Sequence, residues 1–110
     1  MTRSAESAVV VTTTLPEQAA ALALARTLVE DRLAACVQVV SLSSVYRWQG
    51  RVELAEEWGC HVKTTEARLE ATLERIKAMH PYEVPELLIL PVTGGDPSYL
   101  GWVAKSVRDS

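Results

Sequence analysis

The feature that most constrains the fold is a stretch with a period of two, running from Ala34 to Thr65 and broken at Gln49-Gly50. Such alternation is typical of β-strands, and the break predicts the tip of a hairpin. Each arm would hold about 14 residues and reach on the order of 45 Å, about twice the length of an ordinary strand. One face of the second arm carries an apolar row that only Glu56 interrupts: Val52, Leu54, Trp58, Cys60 and Val62.

The segments on either side of this hairpin predict two more strands and three helices. Ala8–Thr14 is β-branched and nearly uncharged, as expected of an inner strand, and an amphipathic helix follows that ends near Leu33. A second amphipathic helix is stopped by Pro81, and Leu87–Val92 predicts a last short strand. Asp96-Pro97 then places a cap and an N1 proline before a terminal helix.

The resulting order, β-α-β-β-α-β with one added helix, predicts an α+β fold of the ferredoxin-like kind, in which an antiparallel sheet carries two helices. We expect a flexible N-terminus over residues 1–7 and a single domain over 8–110. First and last strands of about seven residues leave half of the long hairpin unpaired, and free edges of this length promote association. Pairing between copies, closed by rotational symmetry, is the simplest way to cover them.

Charge and hydropathy exclude several classes of partner. The 110 residues include 14 acids and 11 bases, a net charge of -3, which gives no basic surface for nucleic acid. No apolar run approaches the roughly 18 residues of a membrane span, so we expect no membrane partner. Glu6 lies where a secretory signal would be apolar, which favours a cytoplasmic location.

Two short stretches, 46–50 and 80–86, concentrate aromatic and ionisable side chains. In one interpretation the aromatics only pack against a neighbouring chain and His80 interacts with the last carbonyls of the second helix. In the other, the two prolines of His80-Pro-Tyr-Glu-Val-Pro-Glu86 stiffen a loop that presents His80, Tyr82 and Glu83 to a ligand. The residues alone leave both interpretations open.

Thiol, imidazole and carboxylate groups that suit copper or zinc are present, but without ligand spacing along the chain. They are Cys36, Cys60, His61, His80 and Glu83. If Gln49-Gly50 is a two-residue turn, Cys36 lies opposite Lys63 and Cys60 opposite Val39, so the thiols occupy opposite faces unless Gly59 forms a bulge. We therefore expect Cys60 to pack in the core, whereas Cys36 remains a candidate for a metal-binding or redox role.

Signatures of catalysis are weak in this sequence. It has no nucleophile elbow, no phosphate-binding glycine loop and no H-E-x-x-H motif, so we expect no enzymatic activity. Lys63, near the end of a predicted strand, is either an anion-binding residue or a solvated edge charge.

Several motifs, in order along the chain, resemble the CutA family from end to end. They are Leu33-Ala-Ala-Cys-Val37, Val45-Tyr-Arg-Trp-Gln-Gly50, Lys63-Thr64, His80-Pro-Tyr-Glu-Val-Pro-Glu86, Leu90-Pro91 and Tyr99-Leu-x-Trp102. The resemblance implies a ferredoxin-like fold, a tight homotrimer built through the long hairpins, a cytoplasmic location and a link to tolerance of copper and other divalent cations. It also implies a likeness to the PII signalling proteins, which bind small ligands in clefts between subunits.

The resemblance further implies roles for individual residues. Cys36 falls in the A-A-C-V motif of the family and is the thiol linked to copper. His80 and Glu83 fall in its H-P-Y-E motif as further metal candidates, and the inter-subunit cleft would be lined by Tyr46, Trp48, Lys63 and Tyr82. Thr13 and Arg75 stand where some relatives have additional cysteines.

Three functional hypotheses follow. The leading one is a trimeric protein of divalent-cation tolerance that binds a divalent metal ion, copper by preference, through Cys36 or through His80 and Glu83. The alternative is a PII-like signalling or interaction module whose clefts hold a small anionic ligand at Lys63 and His80. The third is a stable scaffold without a ligand of its own.

Overall fold

A computed structural model describes residues 4–108 and confirms the predicted α+β order. The strands are β1 (Ala8–Leu15), β2 (Cys36–Trp48), β3 (Arg51–Thr65) and β4 (Leu88–Pro91), and the helices are α1 (Gln18–Glu30), α2 (Glu66–Met79) and α3 (Pro97–Ser106). The four strands form one antiparallel sheet in the order β2-β3-β1-β4. This is the ferredoxin-like arrangement with one additional helix.

The main core lies between one face of the sheet and the helices α1 and α2. Its buried members include Val11, Leu24, Val62 and Ile76, each without exposed surface. Strand residues alternate between faces, so Lys63, next to Val62, belongs to the opposite face. There α3 packs, with Val103 and Val107 buried against Ala35.

The hairpin has the predicted turn and register. Gln49 and Gly50 both have positive φ angles, 51° and 80°, which is the type I′ turn that matches the twist of a two-residue hairpin. Cys36 pairs with Lys63 and Cys60 with Val39, which confirms that the two thiols lie on opposite faces.

Gly59 forms no bulge, since the ladder between β2 and β3 continues through it without interruption. A Cβ atom at this position would lie 2.8 Å from Cδ2 of Leu42. The glycine therefore makes room for a leucine of the neighbouring strand rather than for an extra residue in the ladder.

The distal half of the hairpin extends beyond the rest of the sheet, as predicted. Strand β1 pairs with β3 only as far as Trp58, so within residues 4–108 no strand other than β2 flanks 51–57. The side chains of Val45, Val52 and Leu54 are 66 to 70% exposed there. A single chain thus leaves a strip of apolar surface and an open strand edge in water.

Two element boundaries differ from the prediction. Helix α1 ends at Glu30 instead of near Leu33, because Arg32 adopts a left-handed conformation (φ 56°) and the amides of Arg32 and Leu33 bond back to Val29 and Leu28. This is a Schellman motif with arginine in the usual glycine position. Strand β4 has four residues and lies at the sheet edge, the position that Pro91 favours.

The N-terminal segment that was predicted to be flexible falls partly outside the structure, since residues 1–3 and 109–110 lie outside the described residues. Within it, the carbonyl groups of Ala5 and Ser7 accept hydrogen bonds from the amides of Ala67 and Glu66, at the start of α2. Over the described range, every helix is too short or too polar to traverse a bilayer.

Candidate functional site

A pocket of about 620 Å³ lies where the distal half of the hairpin meets the loop between α2 and β4. It draws residues from three strands and from that loop, which are far apart in sequence. The lining comprises Thr14, Ser44, Val45, Tyr46, Trp48, Glu57, Tyr82, Glu83, Val84 and Glu86. Three of the four predicted cleft residues, Tyr46, Trp48 and Tyr82, therefore meet in one place.

The register of the hairpin determines which of its side chains face the pocket. Leu42 pairs with Glu57, so the even-numbered residues of β2 share the face of Glu57. Tyr46 and Trp48 are two of them, and both remain 45% exposed. Two large aromatic side chains thus border the pocket and are not buried in the core of the chain.

Glu57 and Tyr82 form the polar centre of the pocket. The Tyr82 hydroxyl donates to Oε2 of Glu57 over 2.9 Å, and Glu57 is only 7% exposed although it lies on the face of β3 opposite to the apolar row. Partial burial of the phenol, and next its hydrogen bond to Glu57, raise the pKa of Tyr82 to about 12. Tyr82 is therefore a protonated donor at any physiological pH.

His80 fixes the start of the loop that carries Tyr82. Its Nδ1 accepts the amide hydrogen of Tyr82 at 3.1 Å, so Nε2 carries the ring proton and donates to the carbonyl oxygen of Thr14 at 2.8 Å. The rings of His80 and Tyr82 also lie 5.1 Å apart. Both nitrogens of a neutral imidazole are thus engaged, and a metal ion at His80 would replace one of these bonds.

The charge of the pocket is negative. Glu57, Glu83 and Glu86 line it, and none of the lining residues within the described part of the chain is Lys or Arg. The ion pairs found among residues 4–108 lie elsewhere and do not involve Glu57. A buried carboxylate usually has a cationic partner or binds an ion. The carboxylate of Glu57 instead accepts a hydrogen bond from a neutral hydroxyl, that of Tyr82.

Cys36 and Lys63 occupy a different region. They face each other across β2 and β3, on the face that α3 covers. The Lys63 ammonium donates to the Tyr99 hydroxyl at 3.2 Å and lies 5.3 Å from the centre of that ring. The pair aligns with Val10 of β1, four residues or about 13 Å along the strand from Thr14, which binds His80. The fourth predicted cleft residue is therefore outside this pocket.

Cys60 is a core residue. Its side chain has no exposed surface and packs beside Ala21, whose carbonyl oxygen is 3.9 Å from the sulfur. Burial raises the pKa of the Cys60 thiol to about 11, so the thiolate needed for metal binding is disfavoured.

The predicted metal ligands do not converge within one chain. No group of three or more His, Cys, Asp or Glu side chains in the described range is arranged to hold a metal ion. Glu83 lines the pocket, His80 lies beside it, and Cys36 lies on the far part of the sheet. A complete coordination sphere would need donors from water or from another copy.

Sequence reasoning missed Glu57 as a site residue, together with Ser44, Val84 and Glu86. The alternation of β3 puts Glu57 on the face opposite to the apolar row, and a glutamate on such a face is normally solvated. Its burial depends on Tyr82, 25 positions further along the chain. The one feature of the sequence that indicated an acidic site was the negative charge of the loop over residues 80–86, which contains two glutamates.

Comparison with known protein families assigns the chain to one of them. The family described as CutA1 divalent ion tolerance protein matches residues 9–106. The chain belongs to this CutA1 family. The divalent-cation tolerance protein CutA of Thermus thermophilus is 46% identical over 98 residues, 88% of this chain and 95% of the relative. A chloroplastic CutA 1 of Oryza sativa is 42% identical over 93% of this chain and 58% of the relative.

Solved CutA structures have the same fold. CutA from Xylella fastidiosa superposes with a TM-score of 0.89 at 35% identity, covering 93% of this chain and 99% of that one. A periplasmic divalent cation tolerance protein CutA from Archaeoglobus fulgidus gives 0.88 at 31% identity, covering 92% and 99%. The relatives of this CutA1 chain thus include proteins described as chloroplastic and as periplasmic.

Proposed function

We propose that this CutA1 chain acts in the cytoplasm as a homotrimer that binds divalent metal ions, copper by preference, and that it does so without catalysing a reaction. Membership of a divalent ion tolerance family supports the metal part of the proposal. The observation that supports the assembly is the distal hairpin, whose apolar side chains and strand edge are left uncovered by residues 4–108 of their own chain.

The chemistry of the donors favours copper. Soft thiolate and imidazole ligands select copper and zinc over magnesium or calcium, and Cys36 and His80 are donors of this kind. Cys36 is a free thiol that is only half-buried. Because the donors of one chain are separated, we propose that the metal ion binds where two copies meet, with Cys36 or with His80 and Glu83 as the ligands of one copy.

Copper titration into the purified protein tests the metal proposal. We expect stoichiometric binding that is lost in Cys36→Ser if the thiol holds the ion, or in His80→Gln and Glu83→Gln if the loop does. Glutamine can keep the bond of His80 to Thr14 while removing the imidazole. Uptake should weaken as the pH falls, because the ligands must lose protons to bind.

Two control variants accompany this titration. Cys60→Ala removes the buried thiol and Glu70→Gln removes an exposed carboxylate of α2, and both should bind copper as the wild type does. Zn²⁺, titrated in parallel, separates coordination from oxidation of the thiol, since zinc has no redox chemistry. Absence of stoichiometric copper and zinc binding in the wild type would contradict the proposal.

A further inference from the structure

Glu57 forms no ion pair with a basic side chain among residues 4–108. It is 7% exposed, and its carboxylate accepts a hydrogen bond from the neutral hydroxyl of Tyr82. Moving a carboxylate out of water costs several kcal/mol unless a cation or several donors compensate it. The side chain nevertheless lines an open pocket, so a cation from outside the chain can reach it.

The rest of the lining has the same sign. Glu83 and Glu86 add two carboxylates, and no Lys or Arg of the described residues lines the pocket. The field in the pocket therefore attracts cations and repels anions. A small anionic ligand, as in a PII-like module, does not fit this pocket.

The aromatic side chains narrow the class of cation. Tyr46, Trp48 and Tyr82 border the same space as the carboxylates, and the first two rings are almost half exposed. Ring faces attract organic cations, with tryptophan giving the strongest interaction and quaternary ammonium groups among the best ligands. Aromatic walls around a carboxylate favour such a ligand over an ion that requires oxygen donors on all sides.

A bare metal ion fits the pocket poorly. A divalent ion needs several donors within about 2 to 2.6 Å, and the described residues bring no three His, Cys, Asp or Glu side chains together. The volume of about 620 Å³ is typical of sites for organic molecules, which range from roughly 300 to 1,000 Å³.

We propose that the pocket between the distal hairpin and the loop after α2 binds an organic ammonium ion, with Glu57 as its countercharge and Tyr46, Trp48 and Tyr82 as its aromatic walls. Tyr82 holds the carboxylate in place by donating to Oε2. The site goes beyond the metal-binding proposal and does not depend on it, because its countercharge is Glu57 and its walls are aromatic side chains of the same chain. Glu83, a ligand in the metal proposal, lines the same pocket, so a metal ion bound there would compete with the ammonium ion.

Calorimetric titration with choline, and with its neutral carbon isostere 3,3-dimethylbutan-1-ol, tests this site on the intact protein in metal-free buffer. The two probes have the same shape and differ in charge. We expect choline to bind with a dissociation constant of about 1 mM or below. The neutral alcohol should bind at least about tenfold more weakly, because it lacks the charge that the carboxylate and the aromatic rings attract. Equal affinity for both probes, or no binding of choline, would overturn the proposal.

A matched pair of variants assigns the binding to the pocket. Glu57→Gln and Glu70→Gln remove the same charge, but Glu70 lies on the exposed face of α2. Choline affinity should fall at least about tenfold in the first and stay within about twofold in the second. Equal affinity in Glu57→Gln and the wild type would exclude Glu57 as the countercharge.

Trp48→Leu provides a second variant that keeps the Glu57–Tyr82 bond, and it should also weaken choline binding while preserving the circular dichroism spectrum. If instead a basic side chain of a second copy fills the pocket, the wild type will bind no choline and Glu57→Gln will weaken self-association. That result would replace the ammonium ligand with a subunit contact.

Discussion

At the scale of single residues, the hydroxyl groups of the core are not equivalent. Thr64 and Thr72 are buried and both contact the carbonyl oxygen of Leu33, at 2.6 and 2.9 Å. Thr13 is also buried, on β1, but its Oγ1 has no hydrogen-bond partner within residues 4–108. An unsatisfied buried hydroxyl typically costs about 1 to 3 kcal/mol.

Thr13→Val should therefore stabilise the protein. Valine has nearly the same shape and removes only the unsatisfied hydroxyl, so we expect the free energy of unfolding to rise by about 1 kcal/mol. Urea denaturation followed by circular dichroism measures the change. Thr64→Val is the matched control, because it removes a bonded hydroxyl and leaves the Leu33 carbonyl with one donor fewer. A loss of stability in Thr13→Val equal to that in Thr64→Val would show that the Thr13 hydroxyl is satisfied.

Individual site residues could be predicted from the sequence only in part. Tyr46, Trp48, Lys63 and Tyr82 were predicted to line a cleft between subunits, which stays a prediction. Within one chain Tyr46, Trp48 and Tyr82 border one pocket, and Lys63 contacts Tyr99 outside it. Glu57 could not have been singled out, because its burial depends on a contact with a loop that follows the next helix. A pattern of period two specifies the face of a side chain and not what covers that face.

At the scale of elements, the hairpin was the part that the sequence specified most fully. Its register follows from the position of Gln49-Gly50, because a two-residue turn determines every pair along both arms. The end of α1 was misplaced by three residues, since the apolar spacing continues to Leu33 while the backbone already reverses at Arg32. Periodicity contains no information about a non-glycine residue with positive φ.

Gly50→Ala tests the turn. The φ of Gly50 is 80°, a conformation that costs an L-residue roughly 1 to 2 kcal/mol, so we expect a loss of that order in the free energy of unfolding. Thermal denaturation of the variant beside the wild type gives the value. Gly94→Ala is the control, since a Cβ there meets nothing within 4 Å, and it should change stability little. Equal stability of Gly50→Ala and the wild type would contradict the turn geometry.

At the scale of the whole molecule, the chain has a compact base and a projecting arm. Its principal dimensions are 44 × 29 × 21 Å, and the long axis is of the order expected for one arm of the hairpin. The exposed Val52 and Leu54 lie on this projection, on the face opposite to Glu57, and neither lines the pocket. Burying them against other copies would leave the acidic pocket on the other face.

The mass of the particle in solution tests the central claim most directly. Sedimentation equilibrium at micromolar concentration should give three times the chain mass of 12.1 kDa, because three hairpins would cover one another's edges around a closed axis. A homogeneous species of 12.1 kDa that stays monomeric as the concentration rises would contradict the account, since the distal hairpin would then be stable in water without a partner.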